Sequence, residues 1–417
     1  MTDSVTIFIV NISIYAIILF SSYFLHKTFF SPLTVFATFF FLPSNINLIT
    51  TFDEARLSWL GWKIIWAGTI SFWFGYLTYF VFGWNVASFS IYDKRYHLNR
   101  LANVVNSRFY FQVVFILFFL SLCAFLVNIG RVYSELGVDF IKSGRSVEIV
   151  FGRYTLINYI YFLNLLVIIL SVIGARFSTK TYILNLLLFF SLFETLFHGN
   201  KSTFMIGILI ITYCRLLFVM KVKFEAIIYL ALSIGIIFYL VAIVRLGNDY
   251  LDDIDVIGFL LLNIESYIVY NYKNLENIVY LQAVGDDLFT LFVHVTRVVS
   301  ILTGDAVATK DIVFDSPYYL INPGYNVVTY LGALYLNYGG FAGIIIGSLL
   351  IGLFSAYIFV KLFIKPTLFM FVLNVVYLVI LTLTFSAFEF LRAQFLYILL
   401  ISYIVSFWFR RVKRFDN

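Results

Sequence analysis

Apolar runs of close to twenty residues recur along the whole chain, broken by short clusters of polar and charged side chains. A helix rising ~1.5 Å per residue needs about 20 residues to cross roughly 30 Å of hydrocarbon. Eleven runs reach that scale, at about 5–25, 29–49, 61–83, 109–129, 154–174, 181–197, 203–220, 226–245, 341–360, 367–388 and 393–409. Met1 to Ser4 contains Asp3 and no basic residue. The first run therefore lacks the basic opening of a signal peptide and reads as a retained helix.

Composition agrees with the pattern and narrows the class. Of 417 residues, 62% are hydrophobic, 21% aromatic and 12% charged, about half the charge of an average soluble domain at ~25%. Such a chain cannot cover its surface with polar groups, so its solvent is largely lipid. Soluble-enzyme and nucleic-acid-binding classes drop out. The expected fold is all-α, a polytopic membrane protein with about 11 transmembrane helices in a single membrane domain over residues 1–417. Cys123 and Cys214 each sit inside an apolar run, which leaves no disulfide framework or thiolate metal site.

Charge orients the chain. With the terminal cluster Arg410, Arg411, Lys413 and Arg414 in the cytoplasm and spans alternating, one face collects 16 of the 28 basic residues and 3 of the 22 acidic ones. That contrast follows the positive-inside rule and supports an N-out, C-in arrangement. Two external segments are then long, 130–153 and 246–340, while the cytoplasmic connections are mostly short. The working surface faces outward. Within the second segment, Ile257 to Tyr270 and Leu288 to Leu302 are semi-apolar stretches expected to form amphipathic or re-entrant helices.

External basic residues run against the charge trend, so each needs a reason. They include Arg131, Lys142, Arg145, Arg153, Lys201, Arg245, Arg297 and Arg392. A guanidinium grips phosphate oxygens in pairs and keeps its charge at physiological pH; pairing with external carboxylates is the plainer use of the same groups. Arg245 ends an apolar run and opens the largest external segment, at the depth where the phosphates of a lipid-linked substrate would lie. Snorkelling at a helix end explains the same position. His294 and Arg297 are three apart in LFVHVTRVV, so a helix would carry a base and a phosphate clamp on one face. A structural, hydrogen-bonded histidine is the alternative.

The acidic clusters read as local structure. NDYLDDID lacks the alternating ligands and central glycine of a calcium loop. Glu389 and Arg392 are spaced for a local ion pair that can also orient a substrate hydroxyl, and TFDEAR, with Asp53 and Glu54, reads as a helix start. No nucleotide fingerprint, zinc helix or nucleophile elbow appears, which argues against ATP-driven chemistry.

A late block, NPGYNVVTYLGALYLNYGGFAGIIIGSLLIGLFSAYIF, begins at a turn whose Asn322, Tyr325 and Asn326 can present donors to sugar hydroxyls. Gly343 and Gly347 follow as a small-xxx-small packing face. A turn, a short helix with Asn and Thr, an aromatic before a glycine pair and a glycine-rich span together resemble the C-terminal region of bacterial Wzy-type oligosaccharide repeat-unit polymerases of O-antigen and capsule synthesis. The resemblance covers Asn322 to Phe359. It implies a GT-C-like helical fold in the bacterial inner membrane with a periplasmic active face. It also implies metal- and cofactor-independent transfer of a growing glycan from undecaprenyl diphosphate to the non-reducing end of an incoming lipid-linked repeat. Membrane lipid and a chain-length regulator protein are the implied partners, with no nucleic acid. On that pattern Arg245 and Arg297 hold the diphosphate and His294 is the base. A GxR-like element appears as Gly199-Asn200-Lys201, with lysine in place of arginine. An O-antigen ligase or another GT-C glycosyltransferase shares the same features, and a lipid-linked oligosaccharide flippase is the alternative from a different class.

Overall fold

A computed structural model describes residues 2–82, 94–137, 156–197, 201–220, 256–280, 329–337, 339–384 and 393–415, all helical or in short connections and with no strand among them. In chain order the main helices are α1 Thr2–His26, α2 Pro32–Ile49, α3 Trp59–Phe82, α4 Arg108–Leu136, α5 Leu156–Tyr161, α6 Leu163–Phe177 and α7 Thr181–Phe197. They continue with α8 Lys201–Val219, α9 Val256–Tyr280, α10 Tyr330–Asn337, α11 Phe341–Ile364, α12 Leu368–Leu383 and α13 Ala393–Phe415. Six stretches among the described residues are long and apolar enough to cross a membrane, at Ser4–His26, Pro32–Ile49, Trp59–Phe82, Phe109–Glu135, Tyr159–Phe177 and Phe341–Ile364. Shorter apolar helices occupy Thr181–Thr195, Thr203–Val219, Leu368–Leu383 and Phe395–Phe409. The chain is thus an all-helical, polytopic membrane protein; the expected run at 226–245 lies outside the described residues.

The chain divides into two compact units, one of residues 1–94, 261–360 and 380–393, the other of 95–260, 361–379 and 394–417. In the first, α1 shows how polar residues join helices in lipid. Its Phe8, Ile12, Phe20 and Phe24 are exposed, whereas Asn11, Ser22 and His26 are buried. Asn11 donates to Asn45 at 2.8 Å and accepts from the Trp66 indole at 2.6 Å. Ser22 meets the Ser31 hydroxyl at 2.7 Å, and His26 Nε2 meets the Tyr76 hydroxyl at 2.8 Å. Hydrocarbon offers no alternative partners to these groups, so the pairs fix which face of α1 turns inward.

α2 is not one regular helix, and Pro43 gives the reason. Proline has no N–H to donate and its ring presses on the carbonyl four residues back. A π turn over Ala37–Phe41 precedes it, with the Leu42 amide donating to Ala37 O. The carbonyls of this irregular stretch find side-chain donors: Tyr272 hydroxyl on Phe40, and Ser44 Oγ on Phe41 at 2.6 Å. Phe36 stacks on Phe72 with centroids 3.9 Å apart, and Phe40 meets Tyr330 edge-on at 4.9 Å, forming the aromatic centre of this unit.

Glycines set the closest approach. A Cβ at Gly75 would meet the Leu349 carbonyl oxygen, and one at Gly352 would meet the Phe72 carbonyl oxygen, so α3 and α11 cross backbone to backbone. Gly347, expected in a helix-packing face with Gly343, receives Leu334 of α10, whose Cδ2 lies 2.6 Å from where a Cβ would sit. The turn between α10 and α11 needs its glycine pair: Gly339 and Gly340 have φ of +82° and +71°, a region side chains with a Cβ disfavour.

In the second unit α6 is the central helix. Leu163 through Gly174 are buried on every side, as expected of a helix surrounded by others. It doubles back into α7 through a short link, and Leu184 packs on Gly174. α7 exposes Tyr182, Leu186, Phe189 and Phe193, while Leu184, Leu187, Ser191 and Glu194 face inward.

Candidate functional site

The best-defined polar site on the expected outward side is built by residues 50–58 lying along α9. The reading of TFDEAR as a helix start is corrected here. Asp53–Ala55 forms only a 3-10 turn, and α3 starts at Trp59. Ser58 caps it, accepting from the Leu60 amide at 3.1 Å, and TFDEAR stays a connection with a single 3-10 turn.

Four residues of α9 hold this connection in register. Glu265 Oε1 accepts from Thr50 Oγ1 at 2.7 Å, the Thr51 amide at 2.8 Å and Thr51 Oγ1 at 3.2 Å. Tyr270 donates its hydroxyl to Glu54, and Lys273 Nζ donates to the Arg56 carbonyl at 3.0 Å. Glu276 accepts from the Ser58 amide at 3.1 Å and pairs with Lys273 at 2.8 Å. Positions 265 and 276 are eleven residues apart, about three helical turns, so all four contacts fall along one side of α9.

Glu276 completes the start of α3 from outside. In a capping box the third helical residue reaches back to the cap amide. Here that residue is Gly61, and a Cβ at Gly61 would lie 3.3 Å from Glu276 Cδ. Glycine thus leaves room for a carboxylate borrowed from α9, where it meets the positive end of the helix dipole. Its charge is balanced by Lys273, and its side chain is 7% exposed.

The outer edge of this connection carries chemistry that remains available. Asp53 and Arg56 pair at 3.1 Å but stay 84% and 57% exposed, an arrangement worth at most about 1 kcal/mol. Glu54 is fully exposed, and the Tyr270 hydroxyl holds its carboxyl below the ordinary range. Glu265 is lowered too, first by the Thr50 hydroxyl. Both are carboxylates at neutral pH, able to accept hydrogen bonds and not to donate a proton. Phe52 lies 5.7 Å from the Tyr270 ring, and exposed Trp59 meets Trp66 edge-on at 5.5 Å. Carboxylate acceptors beside aromatic faces suit a ligand rich in hydroxyl and C–H groups.

A pH test follows from Glu265. Its depressed folded-state value means that its contribution is present above the unfolded carboxyl range, near 4.3, and is lost as pH falls through the folded value. Glu265→Gln is therefore expected to lower Tm at pH 7, with the gap from wild type narrowing between about pH 5 and pH 3. A gap constant over that range would remove Glu265's charge from the clamp.

Of the twelve residues expected at the site, two fall among the described residues. Arg131 is exposed near the end of α4, where its carbonyl accepts from Ser134 Oγ at 2.7 Å. Lys201 is the first residue of α8. Arg145, Arg153, Arg245, His294, Arg297, Asn322, Tyr325, Asn326, Glu389 and Arg392 lie outside the described residues, as do the NDYLDDID cluster and Leu288 to Leu302. The stretch expected to be amphipathic from Ile257 is helical and extends to Tyr280. Glu265, Tyr270, Lys273 and Glu276 were not singled out by the residue pattern as a group. The available signal was the i,i+3 pair Lys273 and Glu276; their partners more than 200 residues away leave no local trace. No protein-family model, curated protein or solved structure matches this chain.

Proposed function

We propose that the chain polymerises lipid-linked oligosaccharide repeat units at the outer face of a bacterial inner membrane. It spans that membrane eleven times in a GT-C-like arrangement and transfers a growing glycan from undecaprenyl diphosphate to the non-reducing end of an incoming repeat. The observation that carries this reading is the late block: α10, a positive-φ glycine pair and the glycine-rich α11 follow one another in the order of the polymerase resemblance. The clamp of residues 50–58 on α9 adds acceptors and rings suited to sugars on the expected outward side.

The chemistry needs no nucleotide. A prenyl diphosphate leaves readily once cations hold its developing charge. Arg245 and Arg297 take that role in the proposal. His294 accepts the acceptor hydroxyl proton, while Arg131, Arg145, Arg153, Lys201, Asn322, Tyr325, Asn326, Glu389 and Arg392 hold sugar and phosphate. Alignment of the two substrates supplies much of the rest, since orientation alone is worth up to about 7 to 11 kcal/mol.

Purified protein incubated with lipid-linked repeats is expected to yield glycans of increasing length, with activity retained in EDTA. Translocation without new glycosidic bonds would assign the protein to the flippase class, and transfer to a lipid A core would assign it to the ligases. Loss in EDTA with recovery on Mg²⁺ would instead make Asp53 and Glu54 ligand candidates and point to a metal-dependent GT-C enzyme.

A further inference from the structure

Ring contacts bring several helix ends of the second unit to one place. α6 ends at Phe177, whose ring meets Phe218 in the last turn of α8 edge-on at 5.5 Å. Phe218 in turn stacks on Phe371 in the first turn of α12 at 4.9 Å. Lys180, from the link between α6 and α7, stands over the ring of Phe111 at the start of α4, 5.0 Å from its centroid. Tyr110 beside it faces Phe409 of α13 at 5.9 Å. The stretches that build this end, 95–111, 174–182, 213–220, 361–371 and 405–415, hold twelve Lys or Arg and no Asp or Glu.

A short segment between α3 and α4 joins the same end. Arg95–Leu101 is a 3-10 helix that packs on α8, and Ala102–Val105 continues it along α6. Leu98, Leu101 and Val105, three and four apart, are buried, while Tyr96, Asn99, Arg100 and Asn103 are exposed. His97 Nδ1 donates to the Phe363 carbonyl at 2.8 Å, satisfying one of the carbonyls that the end of α11 leaves without a helical partner. The segment is thereby fixed, with Arg100 on its exposed side.

Exposure then shows what meets these cations. Arg176, Lys180, Arg215 and Lys365 are exposed like Arg100. So are Tyr96, Tyr182 and Trp408, together with Val219 and Ile364 at the last turns of two apolar helices. Exposed aliphatic side chains continue the lipid-facing surface, and Tyr and Trp rings settle at headgroup depth. At that depth the anions available to a guanidinium or ammonium group are lipid phosphates. We propose that this end of the second unit is a docking surface for anionic phospholipid, whose phosphates lie against Arg100, Arg176, Lys180, Arg215 and Lys365. The inference is independent of the glycan reading.

The test places full-length protein in lipid nanodiscs of phosphatidylcholine alone or mixed with phosphatidylglycerol, at matched low ionic strength. Phosphatidylglycerol is expected to raise Tm by about 2–5 °C, because a ligand of the folded state stabilises it. The rise is expected to shrink in ~0.5 M NaCl, which screens exposed charges. Arg176→Gln combined with Lys180→Gln is expected to lose most of the rise, whereas Lys63→Gln, at an exposed cation of α3 in the first unit, keeps it. Equal Tm in the two discs, a rise kept in full by the double variant, or a loss as large in Lys63→Gln overturns the surface. So does an equal rise from inorganic phosphate or polyglutamate added to phosphatidylcholine discs, since either would assign the cations to a soluble anion. If the double variant does not insert, native mass spectrometry of wild-type protein released from mixed discs decides. Enrichment of phosphatidylglycerol over phosphatidylcholine on the protein supports the surface, and retention in the proportion of the bilayer overturns it.

Discussion

Alanine at Gly75 or Gly352 is expected to destabilise the protein enough to deplete it from the membrane. At Gly75 the added methyl group would run into the Leu349 carbonyl, and at Gly352 into the Phe72 carbonyl. Neither obstacle is the end of a flexible side chain, so relief requires α3 and α11 to move apart. Overpacking typically costs ~1–3 kcal/mol, and a backbone obstacle places these variants at or above the top of that range, against a total stability of about 5–15 kcal/mol. Separation of the helices would also disturb Phe72 on Phe36, whose ring is part of the aromatic centre. Both glycines serve one crossing, so the double variant is expected to cost less than the sum of the two. Gly130 is the control: it is helical, has nothing within 4 Å of where a methyl group would sit and lacks a positive φ. Gly130→Ala is expected to leave Tm unchanged or raise it, through helix propensity worth up to about 1 kcal/mol. Thermal unfolding of the three variants in one detergent gives the comparison. Wild-type Tm values for Gly75→Ala and Gly352→Ala would show that this crossing is wider than described.

Replacing Arg245 is the variant expected to act most strongly on glycan synthesis. If its guanidinium holds a diphosphate, Arg245→Ala removes the charge that stabilises the leaving group, and losing one such donor costs on the order of 10²–10³ in rate. Arg245→Lys keeps the charge but not the two-pronged geometry, so it should fall between wild type and alanine. His294→Ala is expected to slow extension while leaving donor binding intact, because the base acts on the acceptor. Arg392→Ala supplies the contrast, with a mild effect if its role is the local pair with Glu389. Chain-length ladders from cells with matched membrane levels of each variant distinguish these outcomes. Normal ladders from both Arg245 variants would remove Arg245 from the diphosphate site, and a normal ladder from His294→Ala would remove that histidine as the base.

Which stretches become helices was legible in residue order, because an apolar run in lipid has to satisfy its own backbone hydrogen bonds and a helix does so within one segment. The short helix and glycine pair before α11 were legible for a similarly local reason: a tight turn at positive φ admits glycine and few other residues. Glu194 was visible as a lone carboxylate in SLFETLF, a signal that counting it with the external acidic residues concealed. Its burial against Ser121 and Tyr161 depended on the fold, since those partners belong to helices other than its own.

Other features required tertiary contacts altogether. TFDEAR has the residues of a helix start, yet it forms a single 3-10 turn held by Glu265, Tyr270 and Lys273, and the long helix begins only at Trp59, with Glu276 on the Ser58 amide. The glycine spacing in α11 suggested a packing face at Gly343 and Gly347, and Gly347 does receive Leu334 of α10, but the backbone crossing with α3 falls at Gly352, against Phe72 far earlier in the chain. Local order records what each segment satisfies by itself. A borrowed cap, a clamp and a helix crossing are satisfied by groups far along the chain, so only the folded arrangement decides them.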